Sequence, residues 1–233
     1  KEMAEAGFQF SSANSINIGR LVPQVVYYVY AYAKLLENEQ IENGEEINVV
    51  VPTGNFGNIL AAYFAKHMGV PIKTLICASN DNKVLYDFFT TGTYDRKREF
   101  ILTNSPSMDI LISSNLERLI YLSTGCDAAA DAALMKDLSE KGSYTVTENM
   151  RQFMSDFRGG FATEAQNEAT IRKIFEDTGY LIDTHTGVAA TVYNAYKAET
   201  GDQTKTVIAS TASPYKFSHS VLEAIKGNWK NRS

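Results

Sequence analysis

The chain has 233 residues, of which 44% are hydrophobic, and its formal net charge at pH 7 is −5. A chain of this size can bury a substantial core, whereas its acidic balance argues against a nucleic-acid surface, and no apolar run approaches the roughly 20 residues of a membrane-spanning helix. The two cysteines, Cys77 and Cys126, and the three histidines lack zinc-ligand spacing. We therefore expect a cytoplasmic protein with no nucleic-acid partner, no membrane partner, no metal site and both thiols reduced in the core.

The first third of the chain predicts a strand–helix–strand unit. A polar, turn-rich stretch at residues 11–20 precedes an apolar helix that is rich in tyrosine. Residues 47–51 form a run dominated by β-branched side chains, which is typical of a strand buried on both faces. Helical spacing follows at residues 59–68, with Gly69 as the C-cap, and residues 72–79 form the next apolar run. This order predicts a βαβ crossover and hence a parallel sheet.

Helices and further strands are predicted in the rest of the chain. A short helix ends in a turn at Gly92, and the stretch at about 115–180 is expected to be mainly helical. Its predicted helices begin near residue 116 and span residues 127–142, 153–160 and 164–178. After it, the pattern predicts a helix at about 188–200, a buried strand at 204–210 and a helix with Ser213 as N-cap and Pro214 in its first turn. Helices that alternate with buried strands indicate an α/β fold.

One loop has the pattern of an anion site. The segment "PTGNFGN", residues 52–58, connects a buried strand to the start of a helix. The free N–H groups and the dipole at a helix N-terminus favour a phosphate, and glycines allow the backbone to approach it closely. The loop has neither the lysine of a Walker A motif nor GxGxxG spacing, so it favours a single phosphate over a nucleotide. The alternative is an ordinary turn that carries two glycines.

Five segments, in order, resemble the signatures of one enzyme family. They are "SANSIN" (12–17), "PTGNFGNI" (52–59), "TNSPSMDILISSNLERL" (103–119), "DTHTGVA" (183–189) and "STASPYKF" (210–217). The chain resembles the long threonine synthases, which belong to the tryptophan synthase β-like, or fold type II, group. The resemblance covers essentially the whole chain, residues 1–233, and implies a C-terminal part of the large cofactor-binding domain. The first residue, Lys1 rather than methionine, is also what we expect of a fragment.

The resemblance implies a fold, a cofactor and the residues that bind it. The expected fold is the tryptophan synthase β-like α/β fold, with a central, mostly parallel sheet flanked by helices and incomplete at the N-terminus. The cofactor is pyridoxal 5′-phosphate. Its phosphate is expected on the backbone N–H groups of Gly54, Asn55, Phe56, Gly57 and Asn58. Thr211 matches the family's hydroxyl that faces the pyridine nitrogen. The alternatives are plain packing beneath the loop for Phe56 and a helix cap for Thr211.

Further residues are candidates for binding the substrate. Ser15 and Arg20 are expected to bind the substrate's own phosphate, because a helix N-terminus favours an anion and arginine can bind phosphate in a bidentate manner. Their alternative roles are an N-cap and a solvated cation. Asn14 and Asn17 are additional candidates in the same segment. His185 precedes a helix and matches a family histidine, which either lines the site or fixes its loop.

The family's reaction converts O-phospho-L-homoserine and water to L-threonine and phosphate. It requires a lysine that forms a Schiff base with the cofactor, and the family carries this lysine upstream of the "SANSIN" segment. No lysine of this chain has the surroundings of that motif, and Lys216 is not assigned the role. We therefore expect no catalytic residue in this chain, an inactive chain in isolation, and self-association through apolar surface that the upstream part would cover. The alternative is a naturally truncated, non-catalytic homologue that binds pyridoxal phosphate or another phosphate.

Overall fold

The computed structural model describes residues 2–8 and 16–227. Six strands are assigned in these ranges: β1 Ile47–Pro52, β2 Ile72–Ser79, β3 Thr93–Asp95, β4 Ser143–Thr145, β5 Phe157–Phe161 and β6 Thr206–Ile208. The α-helices are α1 Glu2–Glu5, α2 Ile18–Leu21, α3 Val25–Glu37, α4 Gly57–His67, α5 Val84–Thr91, α6 Leu116–Ser123, α7 Ala128–Lys141, α8 Glu148–Phe153, α9 Glu164–Thr178, α10 Thr184–Thr200 and α11 Ser218–Lys226. Short 3-10 turns lie at Val22–Gln24, Pro106–Met108 and Pro214–Phe217.

A four-stranded sheet forms the centre of the fold. Its strand order is β5–β2–β1–β6, and all three pairings are parallel. β3 and β4 form a separate antiparallel pair. The predicted crossover is confirmed, since β1 and β2 are adjacent and α4 connects them. The parallel sheet places the carboxyl ends of its strands at one edge, where open α/β folds bind ligands.

The sheet is covered on both faces, as the period-2 alternation of its side chains requires. On one face, Val49, Val51 and Leu75 join the core that includes α3 and α4. On the other face, Val50 and Ile76 pack against α10. The core residues of β1 are fully buried, which explains why its sequence lacks the polar alternation of a half-exposed strand.

One helix prediction is wrong and one strand prediction is too long, each in an informative way. Residues 153–160 were expected to be helical, but α8 ends at Phe153 and β5 begins at Phe157. An ideal Cβ on Gly160 would lie 2.4 Å from Val192 Cγ1, so the glycine serves the close approach of α10 to the strand. The strand predicted at 204–210 is shorter, Thr206–Ile208, and only half-buried, because it forms the edge of the described sheet.

Smaller differences concern helix ends and one thiol. α10 begins at Thr184 rather than near residue 188, because the Asp183 carboxylate accepts from the N–H groups of the first turn. α4 begins at Gly57 and ends at His67. Cys77 is buried as expected, and burial raises its pKa to about 12, whereas Cys126 is exposed. The prediction of two core thiols is therefore wrong for Cys126.

The described residues also bear on membrane and metal partners. No helix among them combines the length and hydropathy that a bilayer crossing requires. Within the same ranges, no group of three histidine, cysteine, aspartate or glutamate side chains is arranged to hold a metal ion.

Replacing Gly187 by alanine is expected to lower the free energy of unfolding by about 3 kcal/mol through overpacking. Gly187 lies in α10 where that helix meets α9, and an ideal Cβ there would stand 2.2 Å from Asn167 Oδ1 and 2.7 Å from Ile171 Cγ1. Alanine is the better helix former by about 1 kcal/mol, so a loss of stability would report the helix contact. Urea unfolding measures it, with Gly201→Ala as a control at a glycine that has no neighbours within 4 Å and whose φ of 66° should cost alanine only about 1 kcal/mol. A variant as stable as the parent would contradict this packing.

Candidate functional site

A cleft of about 1070 Å³ opens at the carboxyl ends of β1 and β6. The described residues that line it are Gly19, Arg20, Pro23, Gln24, Tyr27, Tyr28, Ala31, Pro52, Gly54, Asn55, Asn58, Ser107, Met108, His185, Val207, Ala209, Ser210, Thr211, Ala212 and Lys216. This set includes two cationic side chains, Arg20 and Lys216, and no carboxylate. In a chain with a net charge of −5, such a lining favours an anionic ligand.

The glycine loop, residues 53–58, forms one wall of the cleft. At its start, the Thr53 N–H donates to the Ala78 carbonyl at 2.8 Å, which continues the sheet into the loop. Phe56 has φ 69°, a left-handed conformation that is uncommon outside glycine. Its ring is 1% exposed and lies 5.6 Å from the ring of Phe157. The ring therefore packs beneath the loop and anchors the turn.

The loop presents several backbone donors that have no acceptor in the described chain. These are the N–H groups of Gly54, Asn55, Phe56, Asn58 and Ile59, whereas the Gly57 N–H donates to Asn55 Oδ1 at 3.2 Å. They precede and form the first turn of α4, which contains no acidic residue. Free N–H groups at the positive end of a helix dipole form an anion site. The loop therefore fits a phosphate group.

The side chain of Asn58 is held by α3 and the turn before it. The Tyr28 hydroxyl donates to Asn58 Oδ1, and Asn58 Nδ2 donates to Gln24 Oε1 at 3.1 Å. Gln24 Nε2 in turn donates to the Arg20 carbonyl at 2.7 Å. Burial, followed by the charge of Tyr27, raises the pKa of Tyr28, so its hydroxyl stays protonated and donates. This chain of hydrogen bonds ties the segment of Arg20 to the glycine loop.

Arg20 and Asn17 lie in and beside α2. Arg20 is exposed and lines the cleft. Asn17 is the N-cap of α2, and its Oδ1 accepts from the Gly19 N–H at 2.9 Å. The N-cap predicted for Ser15 is thus filled by Asn17 at α2. Asn14 and Ser15 themselves lie outside the described residues.

His185 lines the cleft with both ring nitrogens engaged. Nδ1 lies 2.9 Å from Asp183 Oδ2, and Nε2 accepts from the Ser107 N–H at 3.2 Å. An accepting Nε2 and a carboxylate at Nδ1 define a neutral imidazole with its proton on Nδ1. Burial raises the pKa of Asp183, but hydrogen bonds from His185 and Thr186 outweigh it and lower the pKa overall. The geometry supports the interpretation that His185 fixes a loop, here the 106–108 turn.

Thr211 and Lys216 lie beyond the end of β6. Thr211 is exposed and lines the cleft two residues before the N-cap Ser213. The neighbouring Ser210 Oγ lies 3.2 Å from Thr186 Oγ1, which joins this segment to the start of α10. Lys216 Nζ lies 5.4 Å from the centre of the Phe217 ring. Of the predicted site residues, the cleft brings together Arg20, Gly54, Asn55, Asn58, His185 and Thr211.

Several residues that shape the site escaped the sequence analysis. Ser113 and Asn115 donate to carbonyl groups of the glycine loop, and Gln24 and Tyr28 hold Asn58. The "SSN" letters at 113–115 served only as part of a family signature. A buried serine and asparagine beside a helix start are the local signal that could have indicated them.

Comparisons with known proteins point to one enzyme family. Residues 186–232 match the family model described as threonine synthase, C-terminal. Over 95% of its own length, the chain is 42% identical to threonine synthase-like 1 of Macaca fascicularis. Over 93% of its own length, it is 36% identical to threonine synthase of Saccharomyces cerevisiae. It spans less than half of these relatives, 30% of the first and 44% of the second.

A solved structure shows the same fold. The crystal structure of PLP-bound threonine synthase from Brucella melitensis superposes with a TM-score of 0.82 and 41% sequence identity, covering 91% of this chain and 44% of that one. The expected fold class is confirmed by this match. The family model, the relatives and the superposition agree: the chain is similar to threonine synthases over less than half of their length and corresponds to a C-terminal part of them.

Proposed function

We propose that this chain forms the part of a threonine synthase that binds the phosphate of pyridoxal 5′-phosphate and the phosphate of O-phospho-L-homoserine. One observation carries the proposal: Gly54, Asn55 and Asn58, whose backbone N–H groups are unpaired, line a cleft together with Arg20 and with no acidic residue among its described lining. The family's overall reaction, from O-phospho-L-homoserine and water to L-threonine and phosphate, is proposed for the whole protein.

The described residues fit the cofactor. The backbone N–H groups of Gly54, Asn55, Phe56 and Asn58 would hold its phosphate at the positive end of the α4 dipole. The Gly57 N–H, which the sequence analysis also expected to bind the phosphate, is instead engaged by Asn55 Oδ1 at 3.2 Å. Asn58 would act through its backbone, because its carboxamide is engaged by Tyr28 and Gln24. Thr211, beyond β6, would offer its hydroxyl to the ring nitrogen. When bound, the cofactor supplies an electron sink for carbanion chemistry.

Arg20 would bind the substrate's phosphate, with Asn17 as its neighbour at the start of α2. A guanidinium matches a phosphate in a bidentate manner, and the exposed Arg20 side chain faces no described carboxylate in the cleft. Asn14 and Ser15 stay candidates from the sequence. His185 would act by holding the 106–108 turn against the loop. The catalytic lysine is proposed upstream, and the inactive, self-associating behaviour expected of this chain stays a prediction.

Replacing Arg20 by glutamine is expected to weaken the binding of O-phospho-L-homoserine by about 10- to 100-fold, the value of a hydrogen bond to a charged group. The affinity for pyridoxal 5′-phosphate should change by no more than about threefold, because Arg20 contacts the glycine loop only through Gln24. Isothermal titration measures both affinities: the cofactor-free chain is titrated with pyridoxal 5′-phosphate, and the cofactor-loaded chain with O-phospho-L-homoserine.

The control is Arg158→Gln, which changes net charge equally. Arg158 pairs with Glu199 at 2.6 Å and does not line the cleft. If both variants weakened the binding of O-phospho-L-homoserine equally, the loss of net charge would explain the effect. That result would contradict a phosphate site at Arg20. Phosphate and cofactor binding without threonine formation by the full-length protein would instead favour the non-catalytic homologue.

A further inference from the structure

Residues 113–115 contact the glycine loop from outside the cleft. The Ser113 hydroxyl donates to the Gly54 carbonyl oxygen at 2.8 Å. The backbone N–H and the side-chain Nδ2 of Asn115 both donate to the Asn55 carbonyl oxygen, at 2.9 and 3.1 Å. Both residues are buried, Asn115 with 1% of its surface exposed, and neither lines the cleft. Two successive carbonyl groups of the loop are therefore held on one side.

Because of peptide geometry, the two held carbonyl groups also fix the direction of two backbone N–H groups. In a trans peptide the C=O and N–H groups point in opposite directions, and the described chain has no cis peptide bond. Holding the Gly54 carbonyl toward Ser113 thus points the Asn55 N–H the other way. Holding the Asn55 carbonyl toward Asn115 does the same for the Phe56 N–H. These two N–H groups have no acceptor among the described residues.

We propose that Ser113 and Asn115 are positioning residues that turn the N–H groups of Asn55 and Phe56 toward a phosphate in the cleft. The inference rests on the proposed function, because it takes the anion to be the cofactor's phosphate. Without the hydrogen bond from Ser113, the peptide group between Gly54 and Asn55 can rotate and present its carbonyl oxygen to the anion. The carbonyl lone pair then faces the phosphate in place of the Asn55 N–H, so the attraction of that donor is lost.

The test compares Ser113→Ala with Ser113→Thr, which restores the hydroxyl. Ser113→Ala should weaken the binding of pyridoxal 5′-phosphate by about 10-fold, the worth of one oriented donor to a charged group. Pyridoxal, which lacks the phosphate, should bind the variant and the parent alike. Ser113→Thr should recover the parent's affinity. Without any ligand, the ¹³C resonance of the Gly54 carbonyl should move in Ser113→Ala and return in Ser113→Thr.

Ser123→Ala is the matched control, because the Ser123 hydroxyl donates to the Ile120 carbonyl at 2.7 Å, within α6. It should leave both affinities unchanged. If Ser113→Ala retains the parent's preference for pyridoxal 5′-phosphate over pyridoxal, or loses both ligands equally, the positioning role is overturned. If the parent itself shows no preference, the proposed function fails, and the carbonyl resonance decides the positioning role: an unmoved resonance overturns it.

Discussion

Replacing Gly54 by alanine should weaken the binding of pyridoxal 5′-phosphate by about 10- to 100-fold, as expected when a hydrogen bond to the charged phosphate is lost. An ideal Cβ at this position would lie 2.6 Å from the Ser107 carbonyl oxygen and 3.3 Å from Met108 Cα. Both neighbours are backbone, so no side-chain rotation relieves the clash. Gly54 does not have a positive φ, so alanine adds only this contact and no torsional strain.

Neither partner of the clash is free to move. The Ser107 N–H is held by His185 at 3.2 Å, and the Gly54 carbonyl is held by Ser113 at 2.8 Å. Relief must therefore strain one of these two contacts, and we expect the glycine loop to shift, which displaces its N–H groups from the phosphate. We expect the chain to remain folded with a stability loss of about 1–3 kcal/mol, which is typical of overpacking.

Absorbance titrations with pyridoxal 5′-phosphate, together with circular dichroism melts, measure both effects. Gly179→Ala is the control, because Gly179 has φ 70° and nothing within 4 Å of an added Cβ. That variant should lose about 1 kcal/mol of stability through its backbone and keep the parent's affinity. A Gly54→Ala chain that binds within about threefold of the parent would show that the 106–108 turn is not packed tightly on the loop.

The elements that the sequence predicted well carry their signals locally. β2 and α9 match their predicted bounds, 72–79 and 164–178. The first is an apolar run between turn residues, and the second is bounded by a capping box at Thr163 and by Gly179. β5 was missed because its glycines, which admit α5 and α10, lower the strand signal of the sequence.

The candidate site divides in the same way. The anion loop was predictable, because a strand, two glycines and a helix start are contiguous in the chain. The parts that orient it are distant in sequence. Ser113 contacts Gly54 across 59 positions, and His185 contacts Ser107 across 78. No local pattern encodes such pairs, and the left-handed φ of Phe56, at a residue type that rarely adopts it, could not be predicted either.

Replacing Asp183 by asparagine should lower the free energy of unfolding by about 2–3 kcal/mol, since it leaves buried groups unsatisfied. Asp183 is 0% exposed, and its carboxylate accepts from the N–H and Nδ1 of His185 and from the N–H and hydroxyl of Thr186. An amide nitrogen facing His185 Nδ1 would set donor against donor. If the imidazole proton moved to Nε2, it would oppose the Ser107 N–H instead, so no tautomer satisfies both contacts.

The effect should depend on pH in a direction that the pKa of Asp183 sets. Burial raises this pKa, but the hydrogen bonds from His185 and Thr186 lower it by more than burial raises it. The pKa in the folded chain therefore lies below the value in the unfolded chain, which is about 3.9. The stabilisation is therefore fully present above the unfolded pKa and is lost as pH falls through the folded pKa. Asparagine does not titrate, so the difference in stability between parent and variant should be constant from pH 5 to 7, by the same linkage, and shrink below about pH 4.

Urea unfolding of both chains across this pH range measures the difference. The control is Asp137→Asn, which removes the same charge from an exposed pair with Lys141 at 2.8 Å and should cost no more than about 0.5 kcal/mol. A parent–variant difference that persisted unchanged to pH 3 would mean that the carboxylate's charge is not what holds His185. In that case the contact between His185 and the 106–108 turn would have to be maintained by packing against Phe217, whose ring lies 4.7 Å from the imidazole.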